Sequence, residues 1–245
     1  MVGQPLRLRT RSQRVQLAGR PAPGDNIPKA MSYLVNLSVA GQPAIVIGGG
    51  DIAARKVNDL LESGARVTVV SPVIAQPIQD LAAAQKVRVH LRPYESGDLR
   101  GALIVIAATD DEALNAEISR DARSLGVLVN VVDRPALCTF ILPAVVRRGD
   151  LTIAISTEGQ CPALASVIRE ELAAQFGEEY ADLVSAMGAL RRKLISQGWD
   201  GQRIRQAIRD LYREGIVNLI ATNDGSALAA LYHKVLGDGA EGPAA

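Results

Sequence analysis

"AIVIGGGDIAARKVNDLLESG" (residues 44–64) carries a short apolar run into three consecutive glycines and out again as a helix-patterned segment. Ala53, Val57, Leu60 and Leu61 form one stripe of that segment, and Gly64 stands where a helix-terminating glycine stands. The turn reads Gly48-Gly49-Gly50-Asp51-Ile52-Ala53, which fits the G-x-G-x-x-G/A dinucleotide fingerprint. Gly48 permits the tight turn, Gly50 lets backbone approach a pyrophosphate, and Ala53 keeps the helix close to the strand. The helix N-terminus then offers unpaired N–H groups and the positive end of its dipole to phosphates.

Outward from this unit, strand-like and helix-like segments alternate. Residues 44–48, 66–71, 86–91, 102–109 and 127–132 are short and rich in Val, Ile or Leu, and several are continuous apolar runs, as in strands covered on both faces. Between the fourth and fifth lies a helical stripe, Leu114, Ile118 and Ala122, closed by Gly126. This alternation predicts right-handed βαβ crossovers and a Rossmann-like, doubly wound α/β domain with a parallel sheet over 31–143. Beyond Pro143 one further strand is expected at 150–156, then helices, the first opening at Pro162. Later stripes are Leu183/Met187/Leu190/Leu194, Ile204/Ile208/Leu211 and Leu228/Leu231/Val235. The expected organisation is a small α+β segment over 144–172 and a C-terminal helical region over 173–245.

Composition bounds the function. A net charge of +1 gives no global argument for nucleic acid or an anionic membrane, so any charged site is local. No apolar run approaches the roughly 20 residues that span a bilayer. Cys138 and Cys161 are too far apart for a CxxC motif and fit reduced thiols in a cytoplasmic protein. With only His90 and His233 as histidines, a preformed His/Cys metal cage is not expected. Residues 1–30 are Arg-rich, acid-poor and without apolar period, which reads as a flexible basic tail. Met31 offers a second start immediately after it, so the tail is also readable as an optional extension.

The strand ends supply the remaining candidates. After the second strand Ser71, Pro72 and Val73 occupy the place where an acid normally binds the ribose diol, so the fingerprint alone does not separate NAD from NADP. After the fourth, Ala108, Thr109 and Asp110 face the carboxyl edge of the sheet, where Thr109 and Asp110 serve equally as cofactor contacts or helix caps. After the fifth, Asp133 projects from the same edge, and by pattern it is as readily a general base or cation contact as a turn residue.

Taken together, "IVIGGGDIAARKVNDLLESGARVTVVSP", "IAATDDEALN" and "NVVDRPALCTFILPAVVRRGDLTIAISTEGQCPALASVIREEL" resemble the precorrin-2 dehydrogenase / sirohydrochlorin ferrochelatase family, from about Ser32 to Leu194. The resemblance implies NAD-dependent oxidation of precorrin-2 to sirohydrochlorin and, in many members, insertion of Fe2+ as a substrate to give sirohaem. It implies Gly48, Gly49, Gly50, Asp51 and Ile52 along the pyrophosphate, Ser71, Pro72 and Val73 near the ribose, and Ala108, Thr109 and Asp110 in the cofactor cleft. Asp133 matches the family's catalytic aspartate, with a transient Fe2+ contact and no preformed metal site. Asn130, Thr157, Gly159 and Pro162 match the substrate region, and Arg147, Arg148 and Arg169 are cations available to a polycarboxylate. Glu158 and Cys161 stand where related motifs often carry glycine and serine. The resemblance further implies a homodimer in which the segment from about Ala144 exchanges between subunits, and no methyltransferase domain, since residues 195–245 are too few for one. Two other readings stay open: a dehydrogenase with its chelatase elsewhere, and a non-catalytic nucleotide-sensing domain.

Overall fold

Five short strands form one parallel sheet, with the first strand in the chain at its centre. They are β1 (Pro43–Ile47), β2 (Arg66–Val70), β3 (Arg88–His90), β4 (Ile104–Ala107) and β5 (Leu128–Val131). The computed structural model describes residues 32–237, so the basic tail over 1–30 lies outside the described residues. Each strand lies within its predicted run except β1, which starts one residue earlier at Pro43, and β1 and β4 are apolar throughout because both of their faces are covered. Ala44, Val46, Val67, Val69, Ile104 and Ile106 turn to one buried cluster, against helices α1 (Asp51–Glu62) and α2 (Gln76–Ala83). Ile45, Ile47, Val70, Val105, Ala107 and Val129 turn to the other, against α3 (Glu112–Leu125). A period of two is thus hidden inside continuous apolar sequence.

Helix ends follow local chemistry. Gly64 lies just past α1 at φ +78°, and Gly126 closes α3 in the left-handed region. The cap of α3 is neither Thr109 nor Asp110 but Asp111, whose Oδ1 accepts from the amides of Ala113 and Leu114 at 2.9 and 3.1 Å. The first helical residue is Glu112, and only the side chain immediately before it reaches those two donors. Asp111→Ala is expected to cost about 1 kcal/mol in urea unfolding.

A second sheet follows. The expected strand is β7 (Leu151–Ile155), and it pairs antiparallel with a strand the patterns do not signal, β6 (Ala144–Arg148). Pro143 before it and the Arg147-Arg148 pair within it hide the apolar alternation. Gly149 at φ +53° opens the two-residue turn between them. Helix α4 (Pro162–Gln175) starts at the expected proline and packs on both strands. Then come α5 (Glu179–Ser196), α6 (Gly201–Arg213), a short α7 (Ile216–Ala221) and α8 (Gly225–Leu236). Their stripes meet around Leu190, Leu194, Leu211 and Ile216, all fully buried. No helix among the described residues is long and apolar enough to cross a membrane.

Candidate functional site

Two clefts open at the carboxyl edge of the parallel sheet, the edge where open α/β folds bind ligands. The first has a volume of about 750 Å³, and every residue expected at a dinucleotide lies on its wall: 48–52, 71–73 and 108–110. Three adjacent glycines shape it in three ways. Gly48 is at φ +115°, and a Cβ there would lie 2.2 Å from the carbonyl oxygen of Ala108. Gly49, a position the fingerprint leaves free, would place a Cβ 2.0 Å from the carbonyl oxygen of Val73 and 2.8 Å from Ser71 Oγ. Gly50 has ordinary extended backbone, and a Cβ there would meet nothing within 4 Å. The first two glycines close the fold, and the third faces open space.

The N-terminus of α1 carries no side-chain cap. Its first amides therefore face the cleft with hydrogen-bonding capacity unused by the helix, beside a Gly50 backbone that leaves room for a pyrophosphate. These features fit a dinucleotide. Ser71 is buried and donates its hydroxyl proton to the Val73 carbonyl at 2.6 Å, turning the chain against Gly49. Thr109 Oγ1 donates to Asn115 Oδ1, and Asn115 Nδ2 donates back to the Thr109 carbonyl, both at 2.9 Å. The walls at 71–73 and 108–110 are thus held by their own hydrogen bonds. Tyr94 also lines the cleft, and its hydroxyl donates to Asp121 Oδ2 at 2.9 Å. Burial, then that carboxylate, pushes the phenol above its ordinary range. It enters from the irregular segment after β3, where no periodic signal points to it.

The second cleft, about 430 Å³, gathers Asn130, Asp133, Thr157, Gly159 and Pro162, the predicted catalytic and substrate set. Asp133 is exposed at φ +58°, a left-handed conformation uncommon outside glycine and best tolerated by Asn and Asp. The segment that follows holds it there by lying along β5. Cys138 Sγ accepts from the Val131 amide at 3.1 Å, Thr139 Oγ1 accepts from the Val129 amide at 2.8 Å, and the Thr139 amide donates to the Val129 carbonyl at 2.8 Å. Asn130 Nδ2 donates to the Phe140 carbonyl at 3.1 Å, so this side chain both lines the cleft and fastens the segment. Burial pushes the Cys138 thiol up, consistent with a packed thiol. Thr157 Oγ1 accepts from the Cys161 amide at 3.2 Å and shapes the loop ahead of α4.

The arginines proposed from sequence are not on this wall. Arg148 donates to the carbonyls of Arg147 and Ala173 and pairs with Glu178, so it fastens the end of α4. Arg169 pairs with its neighbour Glu170 at 2.9 Å. The cations that do line the cleft are Arg134, ion-paired with Glu112, and Lys56 on α1. Glu158, left-handed at φ +53°, is not among the lining residues. Among the described residues no group of three or more His, Cys, Asp or Glu is placed to hold a metal ion.

Residues 35–144 match a protein family described as NAD(P)-binding, and residues 148–175 match one described as sirohaem biosynthesis protein central. A siroheme synthase of Ectopseudomonas mendocina (strain ymp) is 42% identical over 180 residues, covering 74% of this chain and 38% of that protein. A siroheme synthase of Pseudomonas fluorescens (strain SBW25) is 37% identical over 201 residues, covering 82% and 43%. The chain thus spans less than half the length of these relatives. Among solved structures, SirC, a precorrin-2 dehydrogenase, is 27% identical with a TM-score of 0.63, covering 78% of this chain and 98% of that one.

Proposed function

The chain belongs to the precorrin-2 dehydrogenase / sirohydrochlorin ferrochelatase family, and from that premise we propose that it oxidises precorrin-2 to sirohydrochlorin with NAD and then inserts Fe2+ to give sirohaem. One observation carries the reading: Asp133 and the substrate-region residues share a cleft at the same sheet edge as the glycine-walled cleft. In this reading residues 31–143 are the cofactor domain, 144–172 the substrate and dimerisation segment, and 173–245 a helical domain.

Bound NAD would supply the hydride acceptor. Gly50 and the amides at the start of α1 would hold the pyrophosphate, the 71–73 turn would border the ribose, and 108–110 would close the opposite wall of the cleft these residues line. Loss of hydride from the macrocycle must be matched by loss of a proton, and in this reading the Asp133 carboxylate on the cleft wall is the base that takes it. Metallation releases protons from pyrrole nitrogens, and the same carboxylate accepts these or contacts the entering Fe2+. The ring supplies the nitrogen ligands, so the protein needs no metal cage of its own.

We also propose a homodimer. The β6–β7 hairpin is a two-stranded sheet, marginal alone, and Leu164 and Val167 on α4 are half exposed beside it. A cytoplasmic location fits the two free cysteines.

The test is an anaerobic incubation of the protein with fresh precorrin-2 and NAD, followed by Fe2+. NADH formation and then accelerated appearance of sirohaem are expected. NADH without accelerated metallation leaves a dehydrogenase alone, and neither signal from folded protein leaves a nucleotide-binding domain.

A further inference from the structure

We propose that Lys56 anchors a carboxylate of the macrocyclic substrate. This rests on the precorrin-2 reading and adds to it a binding residue that the sequence patterns do not mark. Precorrin-2 and its oxidised product carry carboxylates around the ring, so a cleft that holds them needs a cation whose charge is still available. Arg147, Arg148 and Arg169 are not on the wall, and Arg134, whose pair with Glu112 is itself exposed, is held at a second point by donating to the Asp133 carbonyl.

Lys56 differs from these. Its side chain lines the cleft and is 26% exposed, so it is partly covered while remaining open to solvent. Its partner, Asp59, is three residues on along the same helix at 3.5 Å, with a side chain 59% exposed. Such a surface pair is weak and exchanges readily with a substrate carboxylate. The cation also offsets the repulsion that Asp133 exerts on a polyanion entering the same cleft.

The placement on α1 has a consequence for alignment. Asp51 at the start of the helix lines the first cleft, and Lys56 lines the second. Five residues of helix separate them by roughly 7.5 Å along the axis. One rigid element therefore sets the spacing between the phosphate-facing amides and the carboxylate-facing ammonium. In this account Lys56 positions the ring relative to the nicotinamide and Asp133, and it takes no proton itself.

The experiment measures sirohydrochlorin binding to wild type, Lys56→Gln and Lys56→Arg by anaerobic equilibrium dialysis, with NADH binding followed by fluorescence on the same samples. Lys56→Gln keeps the length of the stem and removes the charge. Its Kd for sirohydrochlorin is expected to rise about tenfold, with NADH affinity within twofold of wild type and Lys56→Arg recovering most of the loss. The gap should narrow as salt is raised, because the lost interaction is between charges. In turnover, KM for precorrin-2 should rise by more than kcat falls. Equal sirohydrochlorin affinity in wild type and Lys56→Gln overturns the proposal and leaves the precorrin-2 reading standing. A wild type that binds NADH but no sirohydrochlorin overturns that reading and this proposal with it.

Discussion

Asp133→Asn is expected to lower precorrin-2 oxidation by a factor of about 100 or more while NAD affinity and thermal unfolding stay near wild type. The substitution isolates the carboxylate for two reasons. The residue is at φ +58°, and Asn is the replacement that tolerates the left-handed region as Asp does. The backbone around it is held independently of its side chain, by the Arg134 amide on the Val131 carbonyl and by Cys138 and Thr139 along β5. A fall in turnover therefore reports loss of a proton acceptor rather than collapse of the loop. Asp133→Ala confounds the two, since it adds backbone strain to the lost carboxylate. If the same group also serves metallation, the Asn variant slows Fe2+ insertion into added sirohydrochlorin, and unimpaired insertion separates the two activities. Near-normal NADH formation by Asp133→Asn would remove this residue from the dehydrogenase step.

The second large effect divides three adjacent glycines into two classes. Gly50→Ala is expected to fold with a wild-type melting temperature and to bind NAD at least about tenfold more weakly. Its backbone is ordinary and its new methyl meets no protein atom, but it occupies the space a pyrophosphate needs. Gly48→Ala and Gly49→Ala should instead fail at the level of the fold, losing more than about 3 kcal/mol. Each would drive a Cβ to 2.2 or 2.0 Å from a backbone oxygen, and Gly48 adds a φ of +115°. Chemical denaturation and NADH fluorescence on the three variants give the answer together. A Gly50→Ala protein that binds NAD as wild type does would remove the pyrophosphate from this turn. Normal stability in Gly48→Ala would mean that the β1 and β4 ends do not pack as described.

The parallel sheet was legible because β1 and β4 are continuous apolar runs and β2, β3 and β5 are short Val-rich segments between polar turns, and α1 and α3 because both are amphipathic and end at left-handed glycines. β6 was not, since a strand covered on one side and carrying two arginines has no clean alternation. The structural demand on Gly49 was also hidden. It comes from Val73, a residue on another strand's end, and no local pattern encodes that approach. The residues that line the two clefts could be read as a set from strand ends and family motifs, but the cations could not. Arg147, Arg148 and Arg169 look available in sequence, and only packing shows Arg148 tied to the end of α4 and Lys56 brought to the cleft from the middle of α1. Which residue caps α3 was likewise decided by a shift of one position in the helix start.

Precorrin-2 oxidation is tested by the anaerobic stoichiometry of NADH formed to precorrin-2 consumed by wild-type protein, read at once from the nicotinamide and macrocycle absorbance. One NADH is expected for each sirohydrochlorin formed. Folded protein that binds NAD yet produces neither NADH nor sirohydrochlorin from fresh precorrin-2 would contradict it.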